Sequence, residues 1–124
     1  MEMLLIDVEN NKVKVVDVDG LGDYYKHIGC RCIDIVNPKI GNKRFEIICD
    51  DEGLFVENPK TSAITQSGRP MLVGNLLIAS GTVIDGELTP ITANDVEYIY
   101  NFIVDVFSFN GDNLTRNIAV IMDW

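Results

Sequence analysis

The sequence predicts an α+β fold: a mainly antiparallel sheet packed with one long C-terminal helix and one short N-terminal helix, all in one domain over residues 1–124. Three observations predict it. Short apolar runs rich in Val, Ile and Leu recur along the chain, separated by Asn, Asp, Gly and Pro. The separations are hairpin-like, without the regular crossovers that a parallel sheet needs. One stretch, 92–107 (TANDVEYIYNFIVDVF), repeats apolar residues at helical spacing. With 124 residues and 47% hydrophobic content, there is enough apolar material for a single core.

Residues 3–8 (MLLIDV) form an almost wholly apolar run, as expected of a strand buried on both faces. Glu9-Asn10-Asn11 supplies a turn, and residues 12–18 (KVKVVDV), rich in β-branched side chains, return as the second arm of a hairpin. Asp19 reads as a helix cap. Leu21, Tyr24, Tyr25 and Ile28 then share one face of a short helix, which Gly29 is placed to end in a left-handed conformation. A strand follows over 31–36, punctuated by Pro38 and Gly41-Asn42. In 44–49, Phe45, Ile47 and Cys49 alternate inward, with Arg44, Glu46 and Ile48 outward.

Asp50-Asp51-Glu52-Gly53 makes an acidic turn, and Leu54-Phe55-Val56 starts back. Residues 57–70 (ENPKTSAITQSGRP) lose all periodicity and read as one long loop of the kind that often carries function. Residues 71–79 (MLVGNLLIA) form a strong strand. Thr82-Val83-Ile84 has the composition to pair before Asp85-Gly86 turns the chain.

The stretch 92–107 reads as the organising helix. Thr92 caps it, with Asp95 as the acidic half of a capping box. Val96, Ile99, Tyr100, Ile103 and Phe107 make one apolar face, and Tyr98, Phe102 and Val106 make a second row four residues apart. A surface helix needs one such stripe. Two stripes predict cover from the sheet on one side and a second subunit on the other, hence a homodimer or higher homo-oligomer. After a turn at 109–113, residues 117–124 (NIAVIMDW) form a final strand.

The net charge of -9 argues against binding nucleic acid through phosphate neutralisation. No run approaches the ~18 apolar residues of a membrane span, and the N-terminus lacks a basic leader, so a cytoplasmic protein is expected, without membrane contact. Three cysteines and one histidine do not make a zinc site, because Cys30-x-Cys32 is too closely spaced and lacks a second pair. Asp17, Asp19 and Asp23 around Gly20 fail as a calcium loop, since position twelve falls on Ile28. Neither a phosphate-binding glycine loop nor a recognisable nucleophile setting is present, so binding is favoured over turnover, with no catalytic residue, metal or cofactor assigned.

Helix N-termini accept anions through free N–H groups, which places Thr92 and Asn94 at a candidate phosphate site. Arg116, Asn113, Tyr98, Phe107 and Phe109 lie on the helix or just beyond its end. If two helices pair about a two-fold axis, arginine meets a phosphate while an aromatic ring stacks on a base. Arg69, near the end of the long loop, and Arg44 are further candidates. The same residues also read as core, interface and strand-end groups.

The opening LLIDVENNKVKVVDV, the central IICDDEGLF, and NLLIASG followed by ELTPIT and a helix resemble a family of small uncharacterised proteins carried by phages, plasmids and gut bacteria. The resemblance spans about residues 3–103; it assigns no catalytic residues and leaves the strand 117–124 as an addition. Small size, absent catalytic apparatus and a helix needing a partner are also similar to the phage anti-Thoeris sponge proteins. That resemblance implies an anti-defence protein that sequesters a cyclic ADP-ribose isomer at a subunit interface without cleaving it. The alternatives are an acidic protein that blocks a nucleic-acid-binding host enzyme by mimicry, and a hydrolase or nuclease acting through carboxylates and a metal.

Overall fold

The computed structural model describes residues 1–52 and 59–124, with Asn110 described in its backbone only. β1 (Glu2–Asp7) and β2 (Lys12–Asp17) form the opening hairpin, with Glu2 opposite Asp17 and Asp7 opposite Lys12. Its turn is held by the Asp7 carboxylate, which accepts from the N–H groups of Glu9 and Asn10, while Asn11 takes φ 54°. Helix α1 (Leu21–Ile28) ends as expected at Gly29, at φ 76° and ψ 38°. Its start differs from expectation. Gly20 is the N-cap residue, with no side-chain cap, and Asp19 instead donates its N–H to the Asp23 carboxylate.

β3 (Ile33–Val36), β4 (Lys39–Ile40), β5 (Lys43–Arg44) and β6 (Glu46–Asp50) follow, with β4 and β5 forming a small hairpin around Gly41. The expected return strand at Leu54-Phe55-Val56, like the first part of the expected long loop, lies outside the described residues. Within that loop the structure places β7 (Thr61–Ile64), so 57–70 is not one structureless connection. The run at 71–79 is likewise two strands, β8 (Pro70–Val73) and β9 (Leu76–Ala79), broken at Gly74, which sits at φ 80°. The break matters because β8 and β9 join different sheets. β10 (Val83–Ile84) and β11 (Glu87–Leu88) pair about Asp85-Gly86, both at positive φ, as a tight hairpin turn demands.

The predicted fold class fails at the C-terminus: there is no long C-terminal helix. Helix α2 spans only Ala93–Tyr100, and the chain then becomes β12 (Ile103–Asn110), paired antiparallel with β13 (Asn113–Ile121). The N-terminal signals were sound: the Thr92 hydroxyl accepts from the Asp95 N–H, and the Asp95 carboxylate accepts from the Thr92 N–H. The far end follows strand chemistry. Residues 103–109 are rich in Ile, Val and Phe, which favour the pleated backbone. Asn110-Gly111 supplies a hairpin turn, with Gly111 at φ 64°. Asn101 stops the helix, its side-chain amide donating to the carbonyls of Glu97 and Tyr98. The second apolar row therefore does not form as a helical stripe, which removes the ground for expecting two such helices to pair.

The molecule is mostly antiparallel sheet with two eight-residue helices. One sheet has strand order β2-β1-β9-β6-β3, every neighbouring pair antiparallel. The other has order β12-β13-β7-β8, in which only β13 and β7 run parallel. The three central strands of the five-stranded sheet, β1, β9 and β6, are buried on both faces. Leu4, Ile6, Ile47, Leu76 and Ile78 share a core with Ala63, Ile99, Val120 and Met122 from the second sheet and α2. Met3, Leu5, Ile48, Leu77 and Ala79 form the opposite core with Ile28 and Tyr24 of α1. Ile48, expected to face outward, is thus fully buried beneath α1. Among the described residues, no helix is long and apolar enough to cross a membrane.

Candidate functional site

One concavity is an open groove of about 760 Å³, built where four separate segments converge. The β4–β5 hairpin contributes Lys39 and Gly41, and the β7–β8 turn contributes Thr65, Gln66, Ser67 and Arg69. The α2–β12 junction supplies Asn101 and Phe102, and the end of β13 supplies Ile121, Met122 and Asp123. Its volume lies within the ~300–1,000 Å³ of small-molecule sites.

Each wall is fixed by the backbone. Lys39 and Asp123 exchange two hydrogen bonds, N–H to carbonyl, at 2.6 and 2.8 Å. The Phe102 carbonyl accepts from the Ile121 N–H at 2.8 Å, and the Ile64 carbonyl accepts from the Met122 N–H at 2.9 Å. The turn is locked by its own polar groups. Thr65 N–H donates to the Arg69 carbonyl, Arg69 N–H donates to Thr65 Oγ1, and Gly68 at φ 90° closes the loop. Behind the groove, the Tyr98 ring lies 5.2 Å from that of Phe102. The Tyr98 hydroxyl donates to the Ile40 carbonyl and accepts from the Asn42 N–H, tying α2 to the small hairpin. A Cβ at Gly41 would overlap that hydroxyl and the Phe102 ring, so this close approach requires glycine.

The groove gathers two cations; Lys12, Lys14, Lys26 and Arg44, elsewhere on the molecule, also make no ion pair among the described residues. Arg116 pairs with Asp105, Lys43 with Asp95, Lys60 with Glu9 and Arg31 with Glu52. Lys39 and Arg69 make no ion pair among the described residues, and Asp123 is the one carboxylate in the lining. In a chain of net charge -9, this places two cations and one carboxylate, with hydroxyls and amides, beside an aromatic ring.

Of the residues singled out from sequence, Arg69 lines this groove and Tyr98 supports its wall. Thr92 and Asn94 stand at the other end of α2, with the Thr92 hydroxyl engaged in the capping box. Asn113, Arg116, Phe107 and Phe109 belong to the β12–β13 hairpin, with Arg116 directly opposite Phe107. Phe107 reaches a separate depression of about 290 Å³ with Lys60, Val106 and Asn117. Arg44 donates to the Asn37 carbonyl. Sequence reasoning missed Lys39, Thr65, Gln66, Ser67, Asn101 and Phe102. No local motif marks them, because they meet only through the tertiary fold.

The thiols are poor nucleophiles near neutral pH. Burial pushes Cys49 up to about 12, helped by Asp34, Asp50 and Asp51, while a hydrogen bond to Glu52 raises Cys32 and burial raises Cys30. Among the described residues, no three His, Cys, Asp or Glu side chains gather as a metal site would need.

No curated protein and no solved structure matches this chain. A family model described as a domain of unknown function, DUF3846, matches residues 1–103. That interval contains both cores' principal strands, both helices and the β7–β8 turn, and ends on the first residue of β12. The chain belongs to the DUF3846 family, with nearly all of the β12–β13 hairpin lying beyond the matched region.

Proposed function

We propose that this protein is a non-catalytic binder of a small phosphorylated ligand, held in the groove between Lys39 and Arg69. The ligand class that the resemblance to the sponge proteins implies, a cyclic nucleotide of the cyclic ADP-ribose type, suits the groove's volume and chemistry. One observation carries the reading: two cations without ion pairs among the described residues converge on one concavity of an otherwise acidic molecule. Arg69 offers a planar fork for phosphate oxygens, and Lys39 offers a second positive charge. Gln66, Asn101, Thr65 and Ser67 supply donors and acceptors for ribose or base edges, and the exposed part of Phe102 supplies an apolar surface. In this reading the protein acts by sequestration, as an anti-defence sponge would.

The test is calorimetry with cyclic ADP-ribose isomers, linear ADP-ribose and pyrophosphate, followed by chromatography of the ligand recovered after heat denaturation. Binding with intact ligand recovered supports the reading, and Arg69→Ala and Lys39→Ala should each weaken it about tenfold or more, the loss of a charge-assisted contact. Altered ligand would make the protein an enzyme. Loss of binding in Arg116→Ala but not in Arg69→Ala would move the site to the hairpin. No binding of any anion overturns the proposal and leaves the acidic-interaction alternative, for which Asp34, Asp50 and Asp51 around the exposed Trp124 form the natural face.

A further inference from the structure

We propose that the outer edge of β12, unpaired among the described residues, pairs with the same edge of a second copy, forming an antiparallel two-fold dimer centred on Ser108. Sheet edges invite such pairing unless they are short, charged or interrupted. Among the described residues, the other three edges of the two larger sheets are guarded in those ways: β2 carries Lys12, Lys14 and Asp17, β3 is four residues long and carries Asp34, and β8 is four residues long and starts at Pro70. β12 has eight residues and neither lysine nor proline, and its one charge, Asp105, is neutralised by Arg116 at 3.1 Å. On the same face, Phe107 is 64% exposed, Phe109 77% and Leu114 58%. The base of this face, at Ile103, Ile118 and Val120, runs into the core, so the sheet's apolar side continues outward past the body that it covers.

The register follows from the hairpin. Asn110 and Asn113 flank a two-residue turn, and such a turn closes on a hydrogen-bonded pair. Hydrogen bonding to β13 therefore falls on Asn110, Ser108, Val106 and Val104, and the N–H and C=O groups of Phe109, Phe107 and Asp105 point to the open edge. A two-fold axis at Ser108 sets Phe107 opposite Phe109 of the partner subunit and Phe109 opposite the partner's Phe107, each pair exchanging two hydrogen bonds. All four rings then share one face, and the Asp105–Arg116 pairs lie outside them. An axis one residue earlier would set Phe109 against a carboxylate. This self-complementarity selects a second copy over an unrelated strand. The low local charge means that the net -9 opposes the contact only weakly.

Sedimentation velocity on the full chain should give a dimer, and Phe107→Lys with Phe109→Lys should return it to monomer with unchanged circular dichroism. The register is tested by Ser108→Cys in a Cys30→Ser, Cys32→Ser background. At a non-hydrogen-bonded antiparallel pair the Cα atoms lie about 4.5 Å apart, within disulfide reach, so mild oxidation should cross-link the dimer, whereas Val104→Cys should not cross-link. A monomeric wild-type chain, a dimer that survives the double lysine variant, or Val104→Cys cross-linking as readily as Ser108→Cys would each overturn the proposal.

Discussion

Replacing Asp95 by alanine removes two interactions at once, and their sum is large enough to measure. The carboxylate accepts from Thr92 N–H at 3.3 Å as half of the capping box, and from Lys43 Nζ at 3.1 Å; the residue's own N–H, which alanine retains, still donates to the Thr92 hydroxyl. The Asp95 side chain is only 11% exposed, whereas that of Lys43 is 49% exposed, so the ion pair is largely screened and contributes about 0.5 kcal/mol. Loss of the cap contributes about 1 kcal/mol, with some further cost for the partly buried Thr92 N–H left without a partner. The expected loss is about 1–2.5 kcal/mol. For a chain of this size that is a fall in Tm of roughly 4–12 °C, read by urea and thermal denaturation followed by circular dichroism.

The same substitution has a pH signature. Burial pushes the Asp95 carboxyl up, but the bonds from Lys43 and Thr92 outweigh it and hold the group below its ordinary 3.8. A depressed folded-state pKa means stability that is fully present above the unfolded value and is lost as pH falls through the folded one. The gap between wild type and Asp95→Ala should therefore be constant from neutral pH to about 5 and narrow below about 4. A gap that is independent of pH across that range, or a loss under ~0.3 kcal/mol at pH 7, would refute the account of how α2 is anchored.

Four other outcomes follow from the packing. Ile99→Ala empties a fully buried position where α2 meets both sheets, and should cost about 2–5 kcal/mol in chemical denaturation. Tyr98→Phe strands the Asn42 N–H and the Ile40 carbonyl at an about 1–2 kcal/mol cost, and Gly41→Ala should cost more, because the added methyl collides with Tyr98 and Phe102 at φ 65°. Mass spectrometry after iodoacetamide treatment at pH 8 should find Cys32 alkylated first and Cys49 protected until denaturant is added, since Cys32 is exposed and Cys49 is buried with its pKa near 12.

Local signals in the sequence were legible where the physics is itself local. The capping box at Thr92 and Asp95, the left-handed stop at Gly29, the first hairpin and the Asp85-Gly86 turn each depend on a few adjacent residues. The double burial of 3–8 was also visible, because a strand covered on both faces has no polar alternation to hide. The groove was not. Lys39, Arg69, Asn101 and Asp123 lie far apart in the chain and carry no shared motif, so only Arg69 was singled out in advance.

The stretch 92–107 shows where the boundary lies. Its apolar residues fit a helical spacing and, from Ile103 onward, a strand equally well, since a short run rich in Ile, Val and Phe satisfies both periods. Composition alone determined that these side chains would seek cover. The partner strand decided the outcome: ten residues later the chain returns as β13, which pairs with β12 on one side, and Ile121 bonds back to the Phe102 carbonyl. A helix satisfies its own backbone, whereas a strand needs a neighbour that the local sequence does not contain. That non-local supply of hydrogen-bond partners is what only the tertiary structure could decide, and it turned a predicted helix into an exposed sheet edge.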